Sequence, residues 1–400
     1  MASSAIRPAG RSVEFFNEER FSLLRRSADV PDDFVNEGWS FESLTGGGGK
    51  GGTLMAKVGD YVVKELSKGD HRTLLEVSGS LCEHILGGPS LLCPIYLHFR
   101  DVASNRMFFV MQNAIGSGPF QVLYDLKGCA DDKLLEKEGV KVRAVHKRVW
   151  NLPMWCSCTW SQARRRYYAG KCEARQVKIP LLPSQRDAFL EALRRDVSWL
   201  GGHQLMDYSL LVGIQESTGP GFSPRVGRPY VQPGRGGQTT AVYISIIDFL
   251  QKWTMGKRVA RVLKVLEQNK ATIPPKSYAA RFAVHFTQSV MLVENPEDVE
   301  LPPMTEKLPH FTPPPKAEEE EDLFNPVPVE PLEISGVVPK VPAVVGATEA
   351  EESLLDISKQ EELGQFFSED NGVVEHTALE GNAAARHCCS SWMLRQASCV

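Results

Sequence analysis

The sequence lacks the features that mark a secreted or membrane-spanning protein. It begins without an apolar signal core, and no apolar run approaches the roughly 20 residues of a membrane-spanning helix. Its 9 cysteines are odd in number and loosely spaced, which argues against a disulfide framework. We therefore expect a cytoplasmic protein in a reducing environment, whose contact with any membrane is peripheral.

Common signatures of nucleotide-binding enzymes are also missing. The glycine-dense stretch at residues 46–52 is neither a Walker A motif nor a regular G-x-G-x-x-G. The His-Arg-Asp and Asp-Phe-Gly triplets of protein kinases do not occur either. The absence of the two triplets argues against an ordinary protein kinase.

The formal net charge of −4 is small, but the charges are unevenly distributed. Residues 141–186 are strongly basic, whereas the sequence from residue 294 onward is acidic and rich in Pro and Glu. That composition offers little apolar surface to bury, so we predict a disordered tail over 294–400. Residues 1–293 suffice for one two-lobed domain, with an N-lobe at about 15–123 and a C-lobe at about 124–293.

The glycine-dense stretch leads into a predicted β-hairpin. Leu54–Val58 and Tyr61–Leu66 are β-prone runs joined by a Gly-Asp turn, and Lys64 is a lone charge after Tyr-Val-Val. Glycine N–H groups can approach phosphate oxygens without obstruction, and a lysine on the hairpin can reach the same phosphates. A flexible linker followed by an edge-strand lysine is the alternative. The candidate nucleotide-binding residues are Gly48, Gly49, Gly51, Gly52 and Lys64.

The rest of the N-lobe predicts a small antiparallel sheet with one helix. The helix spans His71–Leu86, and two strand-like runs follow at Ile95–Phe99 and Met107–Met111. Acidic side chains on or beside this helix are candidate partners of the hairpin lysine. They are Asp70, Glu76 and Glu83.

Two carboxylates stand where buried strands of the C-lobe begin or end. Asp207 follows a predicted helix over Pro183–Leu200 and a Gly-Gly breaker, and it precedes a strand-like run. Asp248 ends a strand-like run over 242–247, after a Gly/Pro-rich loop at 219–237. The two strands could bring both carboxylates to one site. For Asp207 alone, a turn residue with a local hydrogen bond is the alternative.

Asp125 and Lys127 flank one apolar residue in an extended segment and could project together. Such a pair can hold a phosphate group, or the two charges can simply neutralise each other. Periodicity does not choose between these alternatives.

Two basic segments are candidate contacts for an anionic partner. Residues 141–178 mix Lys and Arg with Trp and Tyr, and a second segment carries Lys257 and Arg258. Such mixtures suit an anionic bilayer, and they also suit RNA. Cys156 and Cys158 have poor zinc spacing without a second close pair, so we expect free thiols.

Taken together, several strings resemble the phosphatidylinositol phosphate kinase family. In chain order, they are the glycine-dense turn at 46–52, Val-Val-Lys at 62–64, Tyr-Asp-Leu-Lys-Gly at 124–128, Met-Asp-Tyr-Ser-Leu-Leu-Val-Gly at 206–213, Ile-Ile-Asp at 246–248 and Tyr-Ala-Ala-Arg-Phe at 278–282. The resemblance covers roughly Phe15 to Gln288. It implies a two-lobed, kinase-like α+β domain with antiparallel sheets and a flattened, basic surface that faces the membrane.

The resemblance also implies a role for each matching residue. Lys64 would hold ATP phosphates, and Asp248 would bind Mg²⁺. Lys127 would steady the transferring phosphoryl group, while Asp207 would orient or deprotonate an inositol hydroxyl. The residues assigned to the substrate or the membrane are Asp125, Lys257 and Arg258.

The expected reaction is transfer of the ATP γ-phosphate to a phosphatidylinositol monophosphate, giving phosphatidylinositol 4,5-bisphosphate. The expected partners are this lipid and an anionic membrane surface, such as the plasma membrane, without nucleic acid; the chain could also form a homodimer. Ala260 falls where enzymes acting on the 4-phosphate usually carry Glu, and Cys129 falls where the family often has Ser. A catalytically weak, membrane-bound scaffold is the main alternative, and an RNA-binding protein is a more distant one.

Overall fold

The computed structural model describes residues 6–46, 53–145, 160–217, 228–234, 237–253 and 273–293. The chain divides into two compact units, 1–310 and 311–400, and all of the described residues belong to the first. Among the helices of these residues, none is long and apolar enough to cross a membrane.

In the described residues, the N-lobe is a six-stranded antiparallel sheet with two α-helices. Its strands are β1 (Val13–Phe15), β2 (Thr45–Gly46), β3 (Leu54–Val58), β4 (Tyr61–Glu65), β5 (Ile95–Asp101) and β6 (Met107–Gln112). They are hydrogen-bonded in the order β1-β5-β6-β4-β3-β2. The helices α1 (Glu18–Ser27) and α2 (Lys68–Leu86) contact each other, and α1 also contacts β5.

The C-lobe contains a second six-stranded antiparallel sheet. Its strands are β7 (Val122–Leu126), β8 (Lys133–Lys137), β9 (Val140–Lys141), β11 (Ser209–Ser217), β12 (Tyr230–Pro233) and β13 (Thr239–Ile247), in the order β12-β13-β11-β7-β8-β9. A separate parallel pair joins β10 (Ile179–Leu181) and β14 (Val290–Leu292). Among the described C-lobe residues, the helices are α3 (Gln162–Arg175), α4 (Pro183–Gly202) and α5 (Pro275–Ser289), and α4 contacts α5.

The β11 strand of the C-lobe sheet carries an apolar run directly after its first residue, Ser209. Leu210, Leu211 and Val212 of β11 are all buried, and β11 is hydrogen-bonded to β7 on one side and β13 on the other. A continuous apolar run is typical of a strand that is buried on both faces. Burial of this run therefore fixes the register of β11 and the position of the residues that precede it.

The predicted α+β class with antiparallel sheets is confirmed, and the predicted hairpin is present as β3 and β4. Two elements differ from the sequence-based expectation. Strand β12 lies inside the stretch 219–237, which we predicted as a loop, because its backbone pairs with β13. Helix α3 occupies part of the basic segment 141–178 and contacts β7 and β8. The predicted disordered tail lies outside the described residues, and the domain limits stay a prediction.

Candidate active site

Lys64 forms an ion pair between the N-lobe and the C-lobe. It lies in β4, and its Nζ is 2.6 Å from Oδ1 of Asp248, which directly follows β13. The Lys64 side chain is 24% exposed and that of Asp248 is 51% exposed. Both charged groups can therefore be reached by a ligand.

The prediction that an acidic residue of α2 pairs with Lys64 is wrong. Lys64 pairs instead with Asp248, because the fold brings the end of β13 to this part of the N-lobe sheet. The three predicted partners, Asp70, Glu76 and Glu83, contact Ser67, Lys252 and Arg20, respectively.

Lys127 and Asp207 form a second ion pair. The Lys127 ammonium donates to the main-chain oxygen of Asp207 at 2.9 Å and also contacts its Oδ1. The side chains are 17% and 31% exposed. Because the ammonium is bonded to the main chain as well as to the carboxylate, its position does not depend on the Asp207 side chain alone.

Antiparallel pairing explains why these residues meet. In the sheet, Leu126 at the end of β7 pairs with Leu210, and Ser209 at the start of β11 pairs with Ile247 at the end of β13. The end of β7, the start of β11 and the end of β13 therefore lie at one edge. Lys127 and Asp248 directly follow β7 and β13, and Asp207 lies two residues before β11.

Two of the site residues have left-handed backbone conformations. The φ of Asp207 is +65° and that of Asp248 is +58°. A positive φ is uncommon outside glycine, although Asp tolerates it better than most residues, and such backbone outliers cluster at functional sites. Periodicity in the sequence does not predict this conformation.

Asp125 lies beside this edge of the sheet but has a different partner. Its Oδ2 is 3.1 Å from Nζ of Lys133, and its side chain is 19% exposed. Burial lowers the pKa of Lys133, but the attraction of Asp125 outweighs it and the net effect is a raised pKa. Since Lys127 pairs with Asp207, the alternative in which Asp125 and Lys127 neutralise each other is wrong. A contact of Asp125 with the substrate stays a prediction.

Helix α5 supports the backbone next to Asp207. The buried hydroxyl of Tyr278 donates to the main-chain oxygen of Tyr208, and the two rings lie edge to face at 4.7 Å. Burial raises the pKa of Tyr278 well above its usual value, so the phenol stays protonated and remains a donor. The sequence identified Tyr278 within a resembling string, but its hydrogen bond to the active-site strand was not predicted.

The described part of the basic, aromatic segment packs inward more than we predicted. Arg164 and Tyr167 are 5% and 3% exposed. The Arg164 guanidinium lies 4.7 Å from the Trp160 ring centroid and donates to the main-chain oxygen of Val145. Stacking on aromatic rings and bonding to a carbonyl allow this cation to be buried. These side chains are therefore part of the C-lobe core and cannot all face a membrane or RNA.

Several candidate residues lie outside the described part of the chain. They are Gly48, Gly49, Gly51, Gly52, Cys156, Cys158, Lys257 and Arg258. Within the described ranges, no group of three or more His, Cys, Asp or Glu side chains is placed to hold a metal ion by itself.

Comparisons with known proteins give the family. A model of the family described as phosphatidylinositol-4-phosphate 5-kinase matches residues 45–228 and 222–289, which is more than half of the chain. The chain belongs to this family. The matched residues include all of the candidate lysines and carboxylates of the site.

Individual relatives are distant and much longer than the matched region. A Drosophila melanogaster protein named as a candidate 1-phosphatidylinositol 3-phosphate 5-kinase is 24% identical over 59% of this chain and 12% of its own length. The 1-phosphatidylinositol 3-phosphate 5-kinase of Saccharomyces cerevisiae is 20% identical over 71% of this chain and 12% of its own. A phosphatidylinositol 4-phosphate 5-kinase of Plasmodium falciparum is 22% identical over 58% of this chain and 15% of its own. The chain thus spans only a small part of each relative.

Proposed function

We propose that this chain transfers the γ-phosphate of ATP to a hydroxyl of the inositol ring of a phosphatidylinositol monophosphate, which gives a phosphatidylinositol bisphosphate. The observation that carries the proposal is the arrangement of two lysine–carboxylate pairs, Lys64–Asp248 and Lys127–Asp207, around one edge of the C-lobe sheet. Phosphoryl transfer mainly requires charge neutralisation and alignment, which two ammonium groups and two carboxylates can supply. Membership of the family supports the same class of reaction.

The donor set at the Lys64–Asp248 pair fits a magnesium nucleotide. Asp248 offers hard carboxylate oxygens on a half-exposed side chain, which are the ligands that Mg²⁺ prefers. Lys64 offers an ammonium to phosphate oxygens beside it. In this proposal Asp248 holds the ion, which when bound supplies further neutralisation of phosphate charge. The residues that bind ATP are then Lys64, Gly48, Gly49, Gly51 and Gly52.

Asp207 and Lys127 act on the reacting groups in this proposal. The Asp207 carboxylate accepts the proton of the attacking inositol hydroxyl, whose oxygen bonds to the γ-phosphorus while the bond to the bridging β–γ oxygen breaks and ADP leaves. Lys127 stabilises the negative charge on the transferring group. Because its Nζ is also bonded to the main-chain oxygen of Asp207, it can keep its place when the carboxylate turns to the substrate.

We propose phosphatidylinositol 4-phosphate as the substrate and the 4,5-bisphosphate as the product. The description of the family and the name of the Plasmodium falciparum relative support this isomer, whereas the other two relatives are named for the 3-phosphate. All three names place the new phosphate at position 5. The 3-phosphate is therefore the competing substrate that an experiment must include.

A substrate panel tests the activity and the isomer together. The purified protein is incubated with ATP, Mg²⁺ and vesicles that carry one phosphatidylinositol monophosphate each, and the product isomer is identified by chromatography. We expect a bisphosphate product from the 4-phosphate, and no product once Mg²⁺ is chelated. A product from the 3-phosphate alone would overturn the isomer but not the reaction. Vesicle binding without product from any isomer would instead support the scaffold alternative.

We also propose that the chain acts as a peripheral protein at the cytoplasmic face of an anionic membrane, with Lys257 and Arg258 in the contact. Each basic residue near an anionic surface contributes about 1 kcal/mol, screened over a Debye length of ~8 Å. Changing both residues to Glu should weaken vesicle binding at least ~10-fold and reduce activity on vesicles more than activity on a soluble short-chain lipid.

A charge-matched control for this membrane test is available on α2. Lys68 and Arg72 are exposed there, and changing both to Glu alters the net charge by the same amount. We expect this control to bind vesicles nearly as the wild type does. Equal loss of activity on vesicles and on the soluble lipid in the Lys257→Glu, Arg258→Glu variant would contradict the membrane assignment.

A further inference from the structure

We propose that Asp132 is a positioning residue for the reaction, because its buried carboxylate holds the turn that presents the Lys127 ammonium to Asp207. The inference rests on the proposed function of Lys127. Asp132 lies outside the strings that resemble the kinase family, and its carboxylate bonds to main-chain N–H groups rather than to the Lys127 ammonium.

The Asp132 carboxylate closes a tight loop behind Lys127. Its Oδ1 accepts the main-chain N–H of Lys127 at 2.6 Å and that of Cys129 at 3.2 Å. The main-chain N–H of Asp132 in turn donates to the oxygen of Cys129 at 3.1 Å. Three hydrogen bonds thus fix the backbone from which the Lys127 side chain starts.

The loop is also packed against helix α5. Gly128 has a φ of +67°, and a Cβ built on it would lie 3.2 Å from Cβ of His285. His285 Nε2 lies 4.0 Å from the second oxygen of Asp132. Helix α5 therefore packs directly against one side of the loop, and only glycine fits at position 128 without strain.

The surroundings show why this carboxylate is not an ordinary turn residue. Asp132 is 0% exposed, although it follows the exposed Asp131 in a polar stretch of sequence. Burial raises its pKa to about 6, while the two N–H donors and nearby Arg175 act in the opposite direction. Burying a carboxylate is costly unless its hydrogen bonds are specific, and the bonds here go to the backbone of the proposed catalytic lysine.

A displaced Lys127 should affect turnover more than nucleotide binding. The Lys64–Asp248 pair is built on β4 and β13, neither of which bonds to the Asp132 carboxylate. A shift of about 1 Å in a positioning group can cost on the order of 10²-fold in rate. We therefore expect a separation between kcat and the KM for ATP, which a general loss of folded protein would not give.

The test compares three variants in the full-length protein. Asp132→Ala removes the acceptor, Asp132→Asn keeps an oxygen in the same place, and Asp131→Asn is the matched exposed control. We expect Asp132→Ala to lower kcat about 30-fold with the KM for ATP within about 3-fold. Asp132→Asn should restore kcat to within about 5-fold of the wild type, and Asp131→Asn should leave it unchanged. If Asp132→Ala does not fold, Asp132→Val, which also lacks an acceptor, takes its place with the same expectations.

Hydrogen–deuterium exchange separates this inference from the proposed activity. In Asp132→Ala, the amides of Lys127 and Cys129 should exchange at least about 10-fold faster, while amides of β4 and β11 should not change. This holds whether or not the wild type phosphorylates a lipid, so a wild type without lipid kinase activity would remove the proposed function only. The role of Asp132 would be overturned by unchanged exchange at both amides in Asp132→Ala, or by a kcat of that variant within about 2-fold of the wild type. An equal loss of kcat in Asp132→Ala and Asp132→Asn would overturn it as well.

Discussion

Asp196 in α4 makes contacts that link the two lobes, and its replacement should weaken both the fold and the site. Its buried carboxylate lies 2.7 Å from Nε2 of His84 in α2, 2.9 Å from the Ser90 hydroxyl and 2.5 Å from the N–H of Leu91. The Leu91 oxygen then accepts the N–H of Ile246, two residues before Asp248, at 2.6 Å. Asp196 therefore supports the end of the strand that positions a proposed metal ligand.

The expected loss of stability in Asp196→Ala follows from the hydrogen bonds that the substitution removes. The variant loses three hydrogen bonds to a carboxylate, each worth about 1.5–3 kcal/mol, and leaves donors without an acceptor in a buried place. A buried donor that loses its acceptor typically costs about 1–3 kcal/mol. We expect a loss of about 4 kcal/mol in the free energy of unfolding, and a turnover about 10-fold lower in the protein that remains folded.

Urea unfolding at neutral pH, with Asp187→Ala as the control, checks this prediction. Asp187 lies on the same helix, its side chain is 73% exposed, and it pairs with Arg186 at 3.4 Å. Replacing a surface residue of this kind should cost less than about 0.5 kcal/mol. If Asp196→Ala costs less than about 1 kcal/mol, the network does not tie the lobes together as we argue.

We also expect measurable effects from changes at His98, Gly128 and Lys64. Burial lowers the pKa of His98 to about 3, so its contribution to stability is present above the unfolded pKa of 6.5 and is lost as the pH falls. Between pH 6.5 and 4, the free energy of unfolding measured in urea should fall by on the order of 3 kcal/mol in the wild type. The fall should be smaller in His98→Asn. Gly128→Ala should lower the free energy of unfolding by about 2 kcal/mol and should also lower kcat. Gly59→Ala is the control: its φ is also positive, at +55°, but nothing lies within 4 Å of an added Cβ, so it should lower the free energy of unfolding by only about 1 kcal/mol. Lys64→Met should raise the KM for ATP at least about 10-fold in the vesicle assay while vesicle binding is unchanged; an unchanged KM would remove Lys64 from the nucleotide site.

Local patterns in the sequence predicted most of the fold. The hairpin at Leu54–Val58 and Tyr61–Glu65 was predicted because its runs are β-prone and its turn is Gly-Asp, and both properties are local. Asp207 and Asp248 could be placed together because one precedes and the other follows a buried strand, and antiparallel pairing brings such positions to one edge. These inferences need only the period of the pattern and the direction of the strands.

Contacts between distant residues could not be predicted in this way. The partner of Lys64 lies 184 residues away, so the acidic residues of the nearby helix were the natural but wrong choice. We expected Arg164 and Tyr167 to lie on a basic, aromatic surface. Both are buried instead, because stacking with Trp160 allows the Arg164 guanidinium to be buried. Asp132 gives no signal at all, because one Asp beside another in a polar stretch is typical of an exposed turn.

The most direct test of the central proposal is the turnover of Asp207→Asn. The substitution keeps the shape of the side chain and removes the group that accepts the hydroxyl proton, so it should lower kcat by about 10²- to 10⁴-fold on phosphatidylinositol 4-phosphate vesicles. The unfolding midpoint and the binding of ATP should stay close to those of the wild type, since Lys127 retains its bond to the main-chain oxygen of residue 207. A variant that keeps more than about half of the wild-type lipid kinase turnover would contradict the assignment of Asp207 as the base, and with it the proposed site.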